Sequence, residues 1–411
     1  MKVNSNANER KSDQWQRGYS LPQSDYTDDS VYQSDLKVLG TKAWLLVDHE
    51  SRIPNPGDFF VFNYGNESIV VVRDRQKIVR AHFNTCRHRG SKICLKHEGS
   101  VRTLTCPYHA WTYDLSGSLM SIPLDDGKVD KNTLGLESAH VRVFHGLIFL
   151  NFSKNEPPSF EEYSHRLNEF LAPYQLENTK IATRRVFATR ANWKLVVENF
   201  LECYHCKPAH PTYCSVHDDL KMLALGAGPG SGEKYMEKYE PIYDAFVLEQ
   251  KKLGRWVEPF NDGPEAPFFQ SAARIPIKEG SVTESIDGKA VAPAIAAWGD
   301  HDGVQAGCVF NPVSTILVNS DHAIIFRMTP MGSMQTDAEA IWLVKGDAVE
   351  GRDYDVEKLT AVWAPTLSED KTITENNQLG ILSERYVPGP YQSQEQKIEE
   401  FTAWYRSEIH M

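Results

Sequence analysis

Residues 191–210, ANWKLVVENFLECYHCKPAH, carry Glu198, Glu202, His205 and His210 in one short span. Trp193, Val196, Val197, Phe200 and Tyr204 recur at helical spacing and predict a stripe facing a core. Glu198, Glu202 and His205 stand at i, i+4 and i+7, so on a helix they share a different face. Pro208 disfavours helix at Lys207, and the spacing predicts a helix that stops there. His210 then comes from the following turn and can converge with His205. Two histidines that meet beside a carboxylate are a donor set for iron or zinc. The plainer reading is a buried helix whose polar residues face a loop, and a lone His-x4-His does not exclude it.

The residues that weigh against the plainer reading lie about a hundred positions upstream. Cys86 and His88 form a C-x-H pair, and Cys106 and His109 form a C-x2-H pair after a spacer of seventeen residues. Two cysteines and two histidines suit a tetrahedral zinc site. They suit a Rieske [2Fe–2S] cluster better, where the cysteines hold one iron and the histidines the other. Gly90, Gly99 and Pro107 fit tight loops around such a group, and Trp111 is placed to shield it. Cys94 and His97 lie between the two pairs without a partner pattern and read as structural.

Around these motifs the chain divides into three parts. Residues 1–41 read as an N-terminal helical segment that packs with the C-terminal domain, with Asp29 as the cap of a helix over 31–42. Residues 42–155 read as a small β domain with strands predicted at 44–47, 58–63, 68–73, 77–83 and 141–152. The KNEPP stretch at 154–158 marks its end. Residues 156–411 read as α+β. Helix is predicted at 159–171, strand at 181–189, then the helix of the site. Helical patches follow over 217–272, broken by GPGSG at 228–232. Strands at 309–318, 323–328 and 340–345 and helices at 365–383 and 394–409 complete it.

The 411 residues are 41 % hydrophobic and 24 % charged, an ordinary globular balance. The net charge of −11 and the lack of a basic stripe argue against a nucleic-acid partner. No apolar run reaches the roughly 20 residues that span a bilayer. The polar N-terminus has no signal-peptide pattern, so a cytoplasmic protein is expected. An odd count of seven cysteines argues against a disulfide framework and for reduced thiols.

With both motifs in this order and separation, the chain resembles the α subunits of Rieske non-heme iron oxygenases. The resemblance runs nearly end to end. It implies a small all-β Rieske domain and a larger α+β catalytic domain of helix-grip type, with an antiparallel sheet and helices. It implies a Rieske [2Fe–2S] cluster on Cys86, His88, Cys106 and His109. Glu202-x2-His205-x4-His210 looks like the family's mononuclear iron motif. The family's third ligand is an Asp followed by a Glu five residues later and a Gln soon after. SEDKTITENNQ at 368–378 matches and puts that ligand at Asp370, with Glu369 as the alternative. His205, His210 and Asp370 then form a 2-His-1-carboxylate triad for Fe(II), with positions open for O2. The residue-level alternative is that Glu369 and Asp370 merely favour a helix N-terminus. Glu202 takes the family's bridging carboxylate position, bonded to His205 and to His109 of the partner subunit, which implies a ring, usually a homotrimer.

Glu rather than Asp at position 202 resembles the branch that acts on quaternary ammonium compounds. SLPQSDY (20–26), NTCRHRGSKIC (84–94), KGDAVEGRDYDVEKL (345–359) and ENNQLGILSERYVPGPYQ (375–392) look like its glycine betaine and stachydrine oxygenase components. The implied reaction is O2-dependent N-demethylation of a small cationic substrate, glycine betaine first, with release of formaldehyde. Stachydrine, carnitine or choline oxidation and aromatic-ring hydroxylation are the alternatives. Aromatic faces hold a permanent cation, and Tyr204, Tyr213, Phe268, Phe269, Trp298 and Tyr386 are the candidates. Arg274 is the candidate for a substrate carboxylate. There is no flavin or nicotinamide fingerprint and no C-x4-C-x2-C spacing. A separate NAD(P)H-dependent flavin/iron–sulfur reductase is therefore the expected electron source.

Overall fold

A computed structural model of the chain describes residues 15–224 and 233–409. The first fourteen residues, on which the signal-peptide reading rests in part, and the GPGSG segment lie outside the described residues. Among the described residues no helix is long and apolar enough to cross a membrane.

Helices α1 (Gln23–Thr27) and α2 (Asp29–Lys42) come first. The Asp28 carboxylate accepts the Ser30 N–H at 2.7 Å, so the start of α2 is held one residue before the predicted cap. One compact unit then comprises Leu39–Ser164 and Leu176–Ile181. Its strands are β1 (Leu45–His49), β2 (Asp58–Tyr64), β3 (Glu67–Arg73), β4 (Val79–Phe83), β5 (Glu98–Ser100), β6 (Leu104–Thr105), β7 (Thr112–Tyr113), β8 (Leu119–Ser121), β9 (His140–Phe144) and β10 (Leu147–Asn151). They form sheets in the orders β4-β3-β2-β5, β6-β7-β8 and β1-β10-β9. In β3 every residue after Glu67 is buried, as expected of a strand covered on both faces.

The single strand predicted over 141–152 is two strands. His145 and Gly146 take φ of 49° and 77° and turn the chain back. Two successive positive φ values are what a tight hairpin needs. The dipeptide is neither Asn-Gly nor Asp-Gly, so the usual signal is missing. The chain leaves this unit within α3 (Phe160–Leu171), beyond the KNEPP stretch.

The other unit comprises residues up to Val38, His165–Gln175 and Ala182–Met411. After β11 (Thr179–Thr189) come α4 (Trp193–Phe200), α5 (Cys206–Ala209), α6 (Pro211–Val216), α7 (Asp219–Ala224) and α8 (Glu233–Lys252). Then follow β12 (Phe260–Asn261), β13 (Ser271–Pro276), β14 (Val304–Asn311), β15 (Ser314–Val318), β16 (His322–Gly332) and β17 (Gln335–Lys345). Helices α9 (Val356–Thr360), α10 (Trp363–Ile381) and α11 (Gln396–Ile409) close the chain. The sheet order is β11-β17-β16-β15-β14-β13-β12, and the ladders from β12 to β17 are antiparallel. The strand predicted over 309–318 is the β14–β15 hairpin, because Pro312 cannot donate to a ladder.

Register decides which side chains meet the helices. Gly307 pairs with Leu317, Leu317 with Ile324, and Thr315 with Phe326. Paired residues share a face, as do residues two apart along a strand. Gln305, Gly307, Leu317, Phe326 and Met328 therefore point one way. Phe200 of α4 lies 5.0 Å from Phe326 between ring centres, and Trp363 of α10 lies 4.8 Å from it. This face carries both helices. At its start α4 is anchored by a buried ion pair of Lys194 with Asp35 of α2. The Asp35 carboxylate also accepts from Trp193 Nε1 (3.0 Å) and the Tyr405 hydroxyl (2.9 Å). Desolvation offsets much of the Coulomb gain of such a buried pair, so it is weak evidence of net stabilisation.

Candidate metal centres

The predicted helix over 191–207 is shorter than its pattern suggests. Asn192 caps α4 by accepting the Lys194 N–H at 3.0 Å, and the helix ends at Phe200. Beyond Leu201 the Glu202 carboxylate accepts the backbone N–H groups of Tyr204 and His205. Those donors would otherwise continue the helix, and a side-chain acceptor that captures them ends it. Glu202 and His205 thus project from a turn, not from a helix face. The same turn brings Cys203 and Cys206 together as a disulfide, which corrects the expectation of reduced thiols at this pair. Cys86, Cys94, Cys106, Cys214 and Cys308 are free.

Asp370 sits well inside α10, so a role at a helix N-terminus does not account for it. The helix is locked against the start of α4 by two residues further along. The Glu375 carboxylate accepts the Arg190 N–H at 3.0 Å, and the Gln378 amide oxygen accepts the Asn192 N–H at 2.8 Å. These contacts set the register of Asp370 against the turn that carries His205.

The ligand atoms of His205, His210 and Asp370 lie within 4.8 Å of one another. Asp370 Oδ1 is 2.9 Å from His210 Nε2 and 3.3 Å from His205 Nε2. His210 Nε2 and Asp370 Oδ1 are both buried and, although 2.9 Å apart, form no aligned hydrogen bond with each other or with another group. Buried polar atoms left unpaired are costly; a cation between them would satisfy both. Burial opposes charge on His205, yet Asp370 and Glu202 outweigh it and push its pKa up to about 9. Burial also opposes the Asp370 carboxylate, but the two imidazoles beside it hold its pKa below the usual range. The site thus attracts positive charge. The remaining ring nitrogens are held from behind: His205 Nδ1 pairs with Glu202, and His210 Nδ1 lies 2.9 Å from Glu369 Oε2. Carboxylates in this position orient metal-bound imidazoles. Glu369, the alternative ligand, therefore stands behind His210. Asn199 Nδ2 lies 3.3 Å from His205 Nε2. Glu198 turns away to Tyr26, whose hydroxyl donates to its two oxygens at 2.9 and 3.2 Å.

The three residues open onto a cavity of about 300 Å³, at the small end for ligand pockets (roughly 300–1,000 Å³). Phe200, Tyr213 and Trp363 line it, and no Arg or Lys does among the described residues. The Tyr213 and Trp363 rings stand 5.2 Å apart at 63° and form an aromatic corner.

In the other unit, two loops mirror each other. The Cys86 carbonyl accepts the Gly90 N–H at 3.0 Å, and the Cys106 carbonyl accepts the Ala110 N–H at 3.0 Å. Gly90 and Ala110 both take positive φ, 74° and 55°. Cys86 and Cys106 are buried in a core with Phe59, Val70, Leu104, Trp111 and Tyr113. His88 and His109 lie further out, with ring centres 4.5 Å apart, and His88 stacks on Trp111. These four residues do not gather on one point as His205, His210 and Asp370 do. A single zinc needs such convergence; a two-iron cluster does not.

The family of the Rieske [2Fe–2S] domain matches residues 43–137, and that of the ring-hydroxylating α-subunit catalytic domain matches residues 175–410. The chain belongs to the Rieske non-heme iron oxygenases. It is 32 % identical over 393 residues to the glycine betaine monooxygenase oxygenase subunit of Pseudomonas aeruginosa (strain UCBPP-PA14), covering 94 % of this chain and 88 % of that one. The carnitine monooxygenase oxygenase subunit of Acinetobacter pittii (strain PHEA-2) is 34 % identical over 284 residues, 66 % of this chain and 75 % of that one. The fold matches a quaternary ammonium Rieske monooxygenase solved with L-carnitine, at a TM-score of 0.70, 22 % identity and 96 % coverage of both chains. It also matches naphthalene 1,2-dioxygenase with bound indole, at a TM-score of 0.66 and 20 % identity, covering 97 % of this chain and 93 % of that one.

As a Rieske oxygenase the protein carries a [2Fe–2S] cluster and a mononuclear iron. Of the six aromatic residues named from the sequence, Tyr213 alone lines the cavity. Phe269 packs on Phe401 and Trp404, Trp298 on Tyr174, and the Tyr386 hydroxyl donates to the Leu21 carbonyl. Arg274 is not in the cavity wall: it is buried and bonded to Gln250, the Trp256 carbonyl and Asp302 at 2.7–3.0 Å. Trp363 escaped the sequence reading, although it stands seven residues before Asp370 and so on the same helical face. Gln305 and Leu317 also line the cavity, and no local pattern marks them.

Proposed function

We propose that this Rieske oxygenase is the oxygenase component of a two-component monooxygenase that removes an N-methyl group from a small quaternary ammonium compound, glycine betaine foremost. The observation that carries the reading is the aromatic corner of Phe200, Tyr213 and Trp363 beside His205, His210 and Asp370 in a small cavity. A permanent cation cannot donate a hydrogen bond, and ring faces attract it by about 0.5–2 kcal/mol each. The subunits that act on glycine betaine and carnitine are relatives over much of the chain.

In this reading His205, His210 and Asp370 hold the iron, and Cys86, His88, Cys106 and His109 hold the cluster. When bound, these groups supply electron delivery and O2 activation. The protein places one N-methyl group toward the open side of the triad and keeps water out with its rings. Hydroxylation of that methyl consumes O2, two electrons and two protons and yields water. The N-hydroxymethyl product then collapses to formaldehyde, a tertiary amine and a proton. Glu369 and Glu202 orient the imidazoles. Glu202 also serves the electron path between subunits of a homotrimer; a solved quaternary ammonium Rieske monooxygenase offers insight into inter-subunit transfer. Electrons come from a separate NAD(P)H-dependent reductase.

The test is a single-turnover assay. The protein is reduced without oxygen, mixed with glycine betaine, stachydrine, carnitine, choline or an aromatic acid, and exposed to O2. Formaldehyde from a quaternary ammonium compound is expected. Cluster reoxidation only with an aromatic acid, giving a hydroxylated ring and no formaldehyde, overturns the proposal.

A further inference from the structure

The cavity wall holds a polar side chain that the metal centre does not use. Gln305 of β14 is 5 % exposed and lines the cavity, and its Nε2 has no hydrogen-bond partner. Some of the other neutral polar groups nearby have partners: the Thr366 hydroxyl donates to the Val362 carbonyl (2.8 Å), and the Gln394 amide oxygen accepts from Ser393 (3.2 Å). Trp363 Nε1 donates to the buried Glu284 at 2.8 Å, so its edge is tied back and its ring is left for the cavity.

We propose that Gln305 is the specificity-determining residue that binds the acidic end of the substrate, while the aromatic corner holds its cationic end. This rests on the reading of the substrate as a quaternary ammonium compound. The terminal torsion of a glutamine is soft and roughly two-fold, so the amide can swing its N–H into the cavity it borders. An orphaned buried donor demands an acceptor. With no Arg or Lys in the wall among the described residues, a neutral donor is what the cavity offers a carboxylate. An overall neutral zwitterion then fits without leaving a protein charge unpaired when the ligand is absent.

The experiment compares glycine betaine with tetramethylammonium, which has the same cationic head and no carboxylate. It uses the iron-loaded protein with a saturating reductase or chemical reductant, and formaldehyde as the readout. Q305L should lower kcat/KM for glycine betaine by roughly 10- to 150-fold, the range for a lost hydrogen bond to a charged group, mainly through KM. It should leave tetramethylammonium within about twofold of wild type. Q305E, which keeps the shape and adds a negative charge, should favour tetramethylammonium over glycine betaine. The Rieske spectrum and iron content verify that each variant is folded. Equal losses on both compounds, or a wild type that does not distinguish them, overturn the role of Gln305 and leave the demethylase reading standing. Discrimination that resides in Y213F instead assigns the acidic end to the Tyr213 phenol and also overturns it. A wild type that demethylates neither compound overturns the underlying reading itself.

Discussion

The contact between Glu369 and His210 makes a quantitative claim about iron affinity. His210 Nδ1 lies 2.9 Å from the Glu369 carboxylate, and the imidazole side chain is 2 % exposed against 33 % for the glutamate. Losing a carboxylate behind a metal-bound histidine typically weakens metal binding by about 10- to 100-fold. Solvent reaches a third of Glu369, which screens the pair and lets water replace part of the bond. E369A should therefore fall at the lower end, about tenfold, or about 1.4 kcal/mol. E369Q keeps an acceptor for Nδ1–H and loses only the charge, so it should weaken iron by about threefold. The assay is an anaerobic Fe(II) titration against a competing chelator, with the Rieske absorbance as an internal check on folding. Affinity of E369A within twofold of wild type, or E369Q weaker than E369A, would refute the assignment of Glu369 as the group that orients His210.

Three further outcomes follow from the same geometry. His205→Ala should remove the mononuclear iron and leave the Rieske spectrum intact, read by iron analysis and electron paramagnetic resonance; loss of the Rieske signal instead would mean the two centres are assigned wrongly. Glu202→Gln should keep both metals yet lose most turnover, and full activity would exclude it from the electron path. Burial raises the Glu198 pKa from 4.5 to about 8, against the bond from Tyr26 and the charge of Lys194. The native state then keeps a proton that the unfolded chain loses, so Glu198 makes stability fall as pH rises from about 4.5 to about 8. E198Q should flatten that slope in denaturant melts at several pH values; an unchanged slope would locate the effect elsewhere.

The two motifs that pointed to the family were legible because their chemistry is local. Cys86 to His109 and Glu202 to His210 each lie within one short stretch, and side-chain types at fixed spacing suffice to mark them. Strand edges in the Rieske unit were also legible, because alternation and turn residues bound β2, β3 and β4 within a residue or two of the prediction. What failed was local in another sense. The helix of the site stops at Phe200 because Glu202 captures backbone donors, and a sequence pattern records side-chain type without recording which backbone group it will take. The two merged hairpins failed at His145–Gly146 and at Pro312, where the turn was made by residues outside the usual dipeptides.

The cavity wall illustrates the deeper limit. Gln305 and Asp370 stand 65 positions apart and lie in the same cavity wall. They are joined only through strand register, Gly307 with Leu317 and Thr315 with Phe326, and then through the stack of Phe326, Phe200 and Trp363. Register has a period of two, so a slip of one residue in β14 would turn Gln305 out of the cavity and put an apolar neighbour, Val304 or Ala306, in its place. Metal ligands tolerate no such ambiguity, because three donors must meet at one ion whatever the chain does between them. A pocket wall has no such requirement, and many sequences fold equally well around it. Substrate choice is thus written in the part of the fold least constrained by local pattern. This is why the family could be read from short motifs while Gln305 and Trp363 emerged only from the packed sheet.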